Sequence, residues 1–354
     1  MKTKLVYVLI CAPEATYIEQ ALISIWSARY HNPDAHIVLL VDDLTNQLLA
    51  GKRAEVLEYI TEKVVISFED TNATMMYRSR WIKTSVRQLI EGDFLFIDCD
   101  TAVAQSLADA DCLDCEIGAV LDCHRPVSKF HIKERESLVH KANSCGWDFS
   151  GVERYYSSGV LYVKDTENAH QFYQHWHKNY LHSSQCAVNI DQISMEKASQ
   201  EVPIVSDIAD TWNTIMFIRP KFIEQAKIIH FASLNNNSFL FSKRVFQYIK
   251  DNGLTEYIKY YVLHPLQSYL PYMKKYYTGL QFFKTVSVVA KGVRNYADEI
   301  DRDFTDLIIP HRIAPWIMKL LRNRFYYLGT FIWLLWIRLT GKYNPLEWYY
   351  GILG

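Results

Sequence analysis

The sequence predicts an α/β fold, and three observations carry that prediction. Over roughly the first hundred residues, short β-branched runs alternate with segments of helical apolar periodicity. Two carboxylates, Asp98 and Asp100, directly follow the apolar run 94–97, a position where open α/β sheets place their ligand sites. A chain of 354 residues is also long enough to bury a sizeable core, with one large domain and an appendage or two domains.

Taken in order, residues 5–10 read as the first strand. Residues 15–30 follow as a helix, with Ile18, Leu22, Ile25 and Trp26 on one face. A second strand over 37–41 ends in Asp42-Asp43. A helix over 46–59, a strand at 64–66, a helix over 78–90 and the strand 94–97 complete the pattern. Such alternation implies parallel strands joined by right-handed crossovers, a Rossmann-like nucleotide-binding half. Beyond residue 100 the elements become mixed. Strands are expected at 117–121, 160–163 and 228–231, and helices at 166–180 and 189–199. The polar stretch 124–154 shows little periodicity and reads as a candidate acceptor loop or lid. The run Asn235-Asn236-Asn237-Ser238 marks the expected boundary between a domain at 1–238 and a mainly helical region at 239–354.

Lys plus Arg and Asp plus Glu nearly cancel to a net charge of −1, so no global field favours nucleic acid. Seven Cys without a regular framework fit a reducing compartment. Cys112, Cys115, Cys123 and His124 could be read as a zinc site, but the second half lacks the paired spacing, and ordinary thiols are the expectation. Lys2 and Lys4 before an apolar stretch resemble the start of a secretory signal. That run is at the lower limit for one and continues into the fold, so a cytoplasmic protein is expected.

Asp98-Cys99-Asp100 carries the chemistry. Hard carboxylate oxygens suit Mg²⁺ or Mn²⁺, ions commonly shared with substrate phosphates. Acids at a strand end also serve as helix caps or polar turns. Four further segments discriminate: Tyr156-Ser157-Ser158-Gly159-Val160, Asp191-Gln192, Trp212-Asn213 and Ile228-Ile229-His230-Phe231. With the Asp pair, and in this order over roughly residues 3–232, they resemble the motifs of GT-A glycosyltransferases. The pattern is most like that of glycosyltransferase family 8 and its bacterial lipopolysaccharide-type members.

That resemblance implies a GT-A fold and transfer of a hexose-type sugar from a nucleotide-sugar, a UDP-sugar in most such members, to a glycan or lipid-linked acceptor with retention. It assigns Asp98, Asp100 and His230 to a Mn²⁺ or Mg²⁺ ion that neutralises charge on the departing diphosphate. Without it, a lone His ending a strand is more often structural. Arg80 and Lys83, one helical turn apart, would lie near the donor phosphates, though both also suit a solvated helix face. Asp191 would hydrogen-bond the transferred sugar, and Gln192 would lie near its face opposite the leaving group. As a plain sequence, that segment is also a helix start. Ser158 and Gly159 would line the sugar site, with Gly159 allowing close backbone approach, while a bulge is the bland reading. Asp42 would contact the base or ribose.

Two departures stand out. Ser157 replaces the usual Asn, and a hydroxyl cannot match an amide's hydrogen bonds. After His230-Phe231 the chain reads Ala232-Ser233-Leu234-Asn235 where the family continues through Gly to Lys-Pro-Trp. An inverting relative would need a carboxylate base, for which Asp148 and Glu153 are candidates. Competing readings are an Asp-x-Asp phosphate-ester hydrolase, which normally carries its motif in the first strand, and an inactive glycosyltransferase-like scaffold.

Aromatic residues make up 14% of the chain and crowd its C-terminus. Between 312 and 354, Arg312, Lys319, Arg322, Arg324, Arg338 and Lys342 face a single acid, Glu347, among many Trp, Tyr and Phe. The apolar stretch 325–337 is shorter than the ~20 residues of a spanning helix. Aromatics flanked by basic residues describe a peripheral anchor on an anionic leaflet, and packing on the main domain or a partner is the other reading. The Tyr-rich stretch 257–277 is assigned to the same surface.

Overall fold

The computed structural model describes residues 1–68, 73–130, 132–215, 225–231 and 243–264. The first strand, β1 (Lys4–Leu9), is buried along nearly its whole length, as a continuous apolar run is when a sheet is covered on both faces. Helix α1 (Tyr17–His31) carries the chain across to β2 (Ile37–Asp42), which pairs with β1 in parallel. The expected helix over 46–59 is instead two pieces, α2 (Asp43–Leu48) and a 3-10 helix at Gly51–Glu58. Gly51 opens the second piece at φ 57°, a left-handed conformation that glycine adopts cheaply and that breaks an α-helix. Strand β3 (Glu62–Ile66), helix α3 (Met75–Leu89) and strand β4 (Phe94–Ile97) complete the parallel half. This is the Rossmann-like arrangement that the alternation implies.

After β4 come β5 (Thr101–Val103), β6 (Ile117–Leu121), α4 (Ile132–Ser144), β7 (Tyr156–Val163), α5 (Glu167–Gln185), α6 (Asp191–Glu201), β8 (Val205–Asp207), β9 (Thr214–Ile215) and β10 (Ile228–His230). The main sheet has seven strands in the order β3-β2-β1-β4-β7-β6-β8. β7 runs antiparallel to both β4 and β6, which makes the sheet mixed, as the GT-A resemblance implies. A second sheet has the order β5-β10-β9. Helix α4 lies within the stretch read as irregular; only Leu138 and Ala142 are buried along it, too few to give a visible period. Strands β5, β8 and β9 have two or three residues each, too short for alternation to register.

One face of the main sheet is covered by α3, α5 and α6, with Ile82, Phe172, Trp176 and Met195 in a common core. The other face is covered by α1, the small sheet, and helices α7 (Lys243–Asn252) and α8 (Glu256–Leu263). Val245, Phe246, Ile249, Ile258 and Val262 join the cluster that contains Leu22, Ile25 and Trp26 of α1. The first helices after the expected boundary therefore share a core with the nucleotide-type half. Among the described residues, no helix is long and apolar enough to cross a membrane. The Asn235–Ser238 run, the Ala232–Asn235 departure and the basic, aromatic segment from 265 onward lie outside the described residues.

Candidate active site

The ends of β1, β4 and β7 and the first turn of α6 surround a cleft of about 360 Å³. That is within the ~300–1,000 Å³ range of small-molecule sites. Asp98 leaves β4 with its backbone N–H donating to the Gly159 carbonyl at 2.8 Å, which ties the β4 end to β7. The chain then turns into β5, and Thr101 stands opposite His230 in the antiparallel β5–β10 pair. The Phe231 N–H donates to the Asp100 carbonyl at 2.9 Å. This small sheet brings His230 over the Asp pair from far along the chain.

Asp98, Asp100 and His230 each offer a ligand atom, and these atoms lie within 4.8 Å of one another. It is the one such His, Cys, Asp and Glu group among the described residues, so Cys112, Cys115, Cys123 and His124 form no comparable cluster. His230 Nε2 is 3.2 Å from Asp100 Oδ1. Its other nitrogen, Nδ1, is 2.9 Å from Asn213 Oδ1, and Asn213 Nδ2 donates to the Ser157 hydroxyl at 3.0 Å. An Nδ1 proton held by Asn213 leaves the Nε2 lone pair aimed at the Asp pair, the tautomer a metal ligand needs. Two carboxylates and an imidazole fit a Mn²⁺-type or Mg²⁺-type ion by donor chemistry. A Cβ built on Gly159 would lie 2.3 Å from His230 Cε1 and 3.1 Å from Asp98 Oδ2, so only glycine lets β7 pass behind the group.

A second set of charges adjoins the first. The Lys83 ammonium is 3.1 Å from both oxygens of Asp98, 3.0 Å from Asp191 Oδ2 and 3.3 Å from the Ser158 hydroxyl. Ser158 donates to Asp191 Oδ2 at 2.7 Å, and Arg80 Nε is 3.4 Å from Asp191 Oδ1. Burial alone would raise the Asp191 carboxyl, but Lys83, Arg80 and the Ser158 hydroxyl outweigh it and hold the group well below the usual carboxylate range. Asp191 is thus ionised at any physiological pH. The Arg80 side chain is 36% exposed against 6% for Lys83, which leaves Arg80 as the cation open to a ligand while Lys83 is enclosed by carboxylates. Gln192 lines the cleft and donates through Nε2 to the Tyr156 carbonyl at 3.1 Å.

Nine of the ten site residues named from sequence line this one cleft; Asp42 does not. Asp42 is buried, accepts from the Thr45 N–H at 2.7 Å as the cap of α2, and pairs with Arg78 Nε at 2.6 Å. Its carboxylate is committed inside the fold and away from the cleft surface. The cleft also recruits Tyr17 and Gln20 from the start of α1, and Met75, Met76 and Ser79 from α3. Their only sequence signal is position, at helix starts that follow strand ends.

No family model matches the chain, and no curated protein matches it. Among solved structures it is similar to the WbbM bifunctional glycosyltransferase in its apo form, at 15% identity and TM-score 0.46, covering 65% of this chain and 46% of that one. It is also similar to the galactosyltransferase LgtC in complex with donor and acceptor sugar analogs, at 14% identity and TM-score 0.42, covering 66% of this chain and 88% of that one. A third is the glycosyltransferase GlyE of Streptococcus pneumoniae, at 17% identity and TM-score 0.45, covering 75% of this chain and 64% of that one. The chain spans about half the length of WbbM and just under two thirds of GlyE.

Proposed function

We propose that this chain is a metal-dependent glycosyltransferase that moves a hexose-type sugar from a nucleotide-sugar, taken from the family resemblance to be a UDP-sugar, to a glycan or lipid-linked acceptor. The observation that carries the reading is the meeting of Asp98, Asp100 and His230 beside Lys83, Arg80 and Asp191 in one cleft. Asp98, Asp100 and His230 would hold Mn²⁺ or Mg²⁺, which when bound supplies positive charge for the leaving diphosphate. Lys83 holds Asp98 and Asp191 in place, and Arg80 meets the donor phosphates. Asp191, kept ionised, accepts hydrogen bonds from sugar hydroxyls, with Ser158 fixing its carboxylate. Gln192 lies beside the transferred sugar.

Retention is part of this reading. The two carboxylates that an inverting mechanism would draw on, Asp148 and Glu153, line a different cavity. No observation favours the phosphate-ester hydrolase, which normally carries its Asp pair at the first strand, whereas here the pair follows β4. The test is donor hydrolysis with a panel of sugar nucleotides and Mn²⁺ or Mg²⁺. Nucleoside diphosphate release is expected to need the metal and to fall at least about 100-fold in Asp100→Ala, in line with loss of a group that stabilises transition-state charge. Release that ignores both would overturn the assignment.

The lipopolysaccharide-type acceptor and a peripheral place on the inner face of the membrane belong to the same proposal, supported by the basic, aromatic composition of 312–354. Flotation with anionic liposomes should be lost on truncation near residue 311. Unchanged flotation would leave that segment a packing element.

A further inference from the structure

The turn that follows β6 holds two consecutive residues in the left-handed region, Cys123 at φ 55° and His124 at φ 54°. Outside glycine that conformation is uncommon, and it persists where the surrounding structure holds it. Among the described residues, Ala187 is the one other non-glycine with a positive φ. The His124 ring runs inward from this turn, and its side chain is 0% exposed.

Two contacts define what the ring does there. The Ile215 backbone N–H donates to His124 Nε2 at 3.0 Å, which puts the ring proton on Nδ1, and Nδ1 lies 3.0 Å from Asp210 Oδ1. Asp210 and Ile215 bracket one short segment, the 3-10 turn Asp210–Asn213 followed by β9. His124 thus spans both ends of it. The same segment touches the candidate metal group, because Asn213 Oδ1 is 2.9 Å from His230 Nδ1 and Ile215 stands opposite His230 in the parallel β9–β10 pair. We propose that His124 is a positioning residue for His230: by fixing the 210–215 segment it sets Asn213 against Nδ1 and keeps Nε2 aimed at a divalent cation held with Asp98 and Asp100. The inference rests on the metal-dependent reading above.

The segment has few other ties. Strand β9 pairs with β10 at two positions, the Lys227 N–H donates to the Thr211 carbonyl at 2.7 Å, and Ser157 meets Asn213 through its side-chain amide. The His124 ring adds the tie that reaches from Asp210 to Ile215. Imidazole suits the task, since one rigid ring presents an acceptor and a protonated nitrogen on different edges, and so links a backbone N–H to a carboxylate. Asn213 is itself 0% exposed, so its amide is set by these neighbours and not by solvent. His124 touches neither the cleft nor the three ligand atoms; its effect on them passes through Asn213 and β9.

The experiment is calorimetric titration of the full chain with MnCl₂, together with ¹⁵N NMR of the metal-free, ¹⁵N-histidine-labelled protein, in which the ring nitrogens of His230 report its tautomer. His124→Asn tolerates the left-handed turn but is too short to span Asp210 and the Ile215 N–H. Mn²⁺ affinity should fall at least about tenfold, the usual effect of removing support behind a ligand, and His230 should change from the Nδ1-protonated form to a mixture. Phe246→Ala is the control for lost stability, because α7 packs on α1 and the 3-10 helix Gly51–Glu58, and it should stay within about twofold of wild type in affinity. Asp210→Ala leaves the left-handed turn in place and should shift both readouts in the same direction as His124→Asn; it carries the test if the Tm of His124→Asn shows that variant to be unfolded. The proposal is overturned by unchanged Mn²⁺ affinity or an unchanged His230 tautomer in the folded variants, or by an equal loss of affinity in Phe246→Ala. A wild type that binds no Mn²⁺, yet whose His230 tautomer still depends on His124, would remove the metal-dependent reading and leave the positioning of His230.

Discussion

Gly159 shows how much of the candidate site depends on one missing methyl group. Its carbonyl anchors the Asp98 backbone, and any Cβ there would meet His230 and Asp98. Gly159→Ala should therefore push His230 off the Asp pair. We expect about 1–3 kcal/mol of destabilisation in urea unfolding, the usual cost of overpacking, together with weaker Mn²⁺ binding by titration. Wild-type Mn²⁺ affinity in that variant would show that the imidazole is not a ligand. At this scale the sequence was informative where chemistry and position coincide: Asp98 and Asp100 stand out because a strand ends there. Asp42 stands at a strand end as well, yet Arg78 and the Thr45 N–H consume its carboxylate. Two acids with the same sequence signal thus part company through neighbours that no local pattern reveals.

Helix α3 is the element that supplies the cations. Arg80 and Lys83 are three residues apart, so they share one face, and that face meets Asp191 at the first turn of α6. The start of α3 is held by Thr74, whose hydroxyl accepts from the Tyr77 N–H at 3.1 Å. Thr74→Ala removes this cap and should cost about 1 kcal/mol, seen as a lower denaturation midpoint with little change in m. Strongly periodic or strongly apolar elements such as α1, β1, β2 and β4 were legible from the chain. Helix α4 was not, because it buries too few side chains, and the helix read over 46–59 breaks at Gly51, where tertiary context selects a left-handed turn. Of the small sheet, β10 was read at 228–231, whereas β5 and β9 are too short for any period. They exist because β5, β9 and β10 satisfy one another's backbone groups.

Across the whole molecule, helices α7 and α8 share a core with α1, on the face of the main sheet opposite α3, α5 and α6. Phe246 is 1% exposed within that core. Phe246→Ala should lower global stability by about 3–5 kcal/mol, measured by denaturant unfolding; a change under about 1 kcal/mol would mean that this helical region is not integral to the fold. The amino-acid sequence by itself determined the α/β class, the parallel half and the carboxylate pair at the end of β4. Those features follow from local apolar periodicity and from residue chemistry, which are written within a few neighbours. Only the tertiary structure decided how His230, which the family resemblance had already named, is carried to the pair by the small sheet, and that Lys83 is enclosed by Asp98 and Asp191 while Arg80 stays open. Each of these depends on strand pairing and burial between segments far apart in the chain, and no local pattern encodes that.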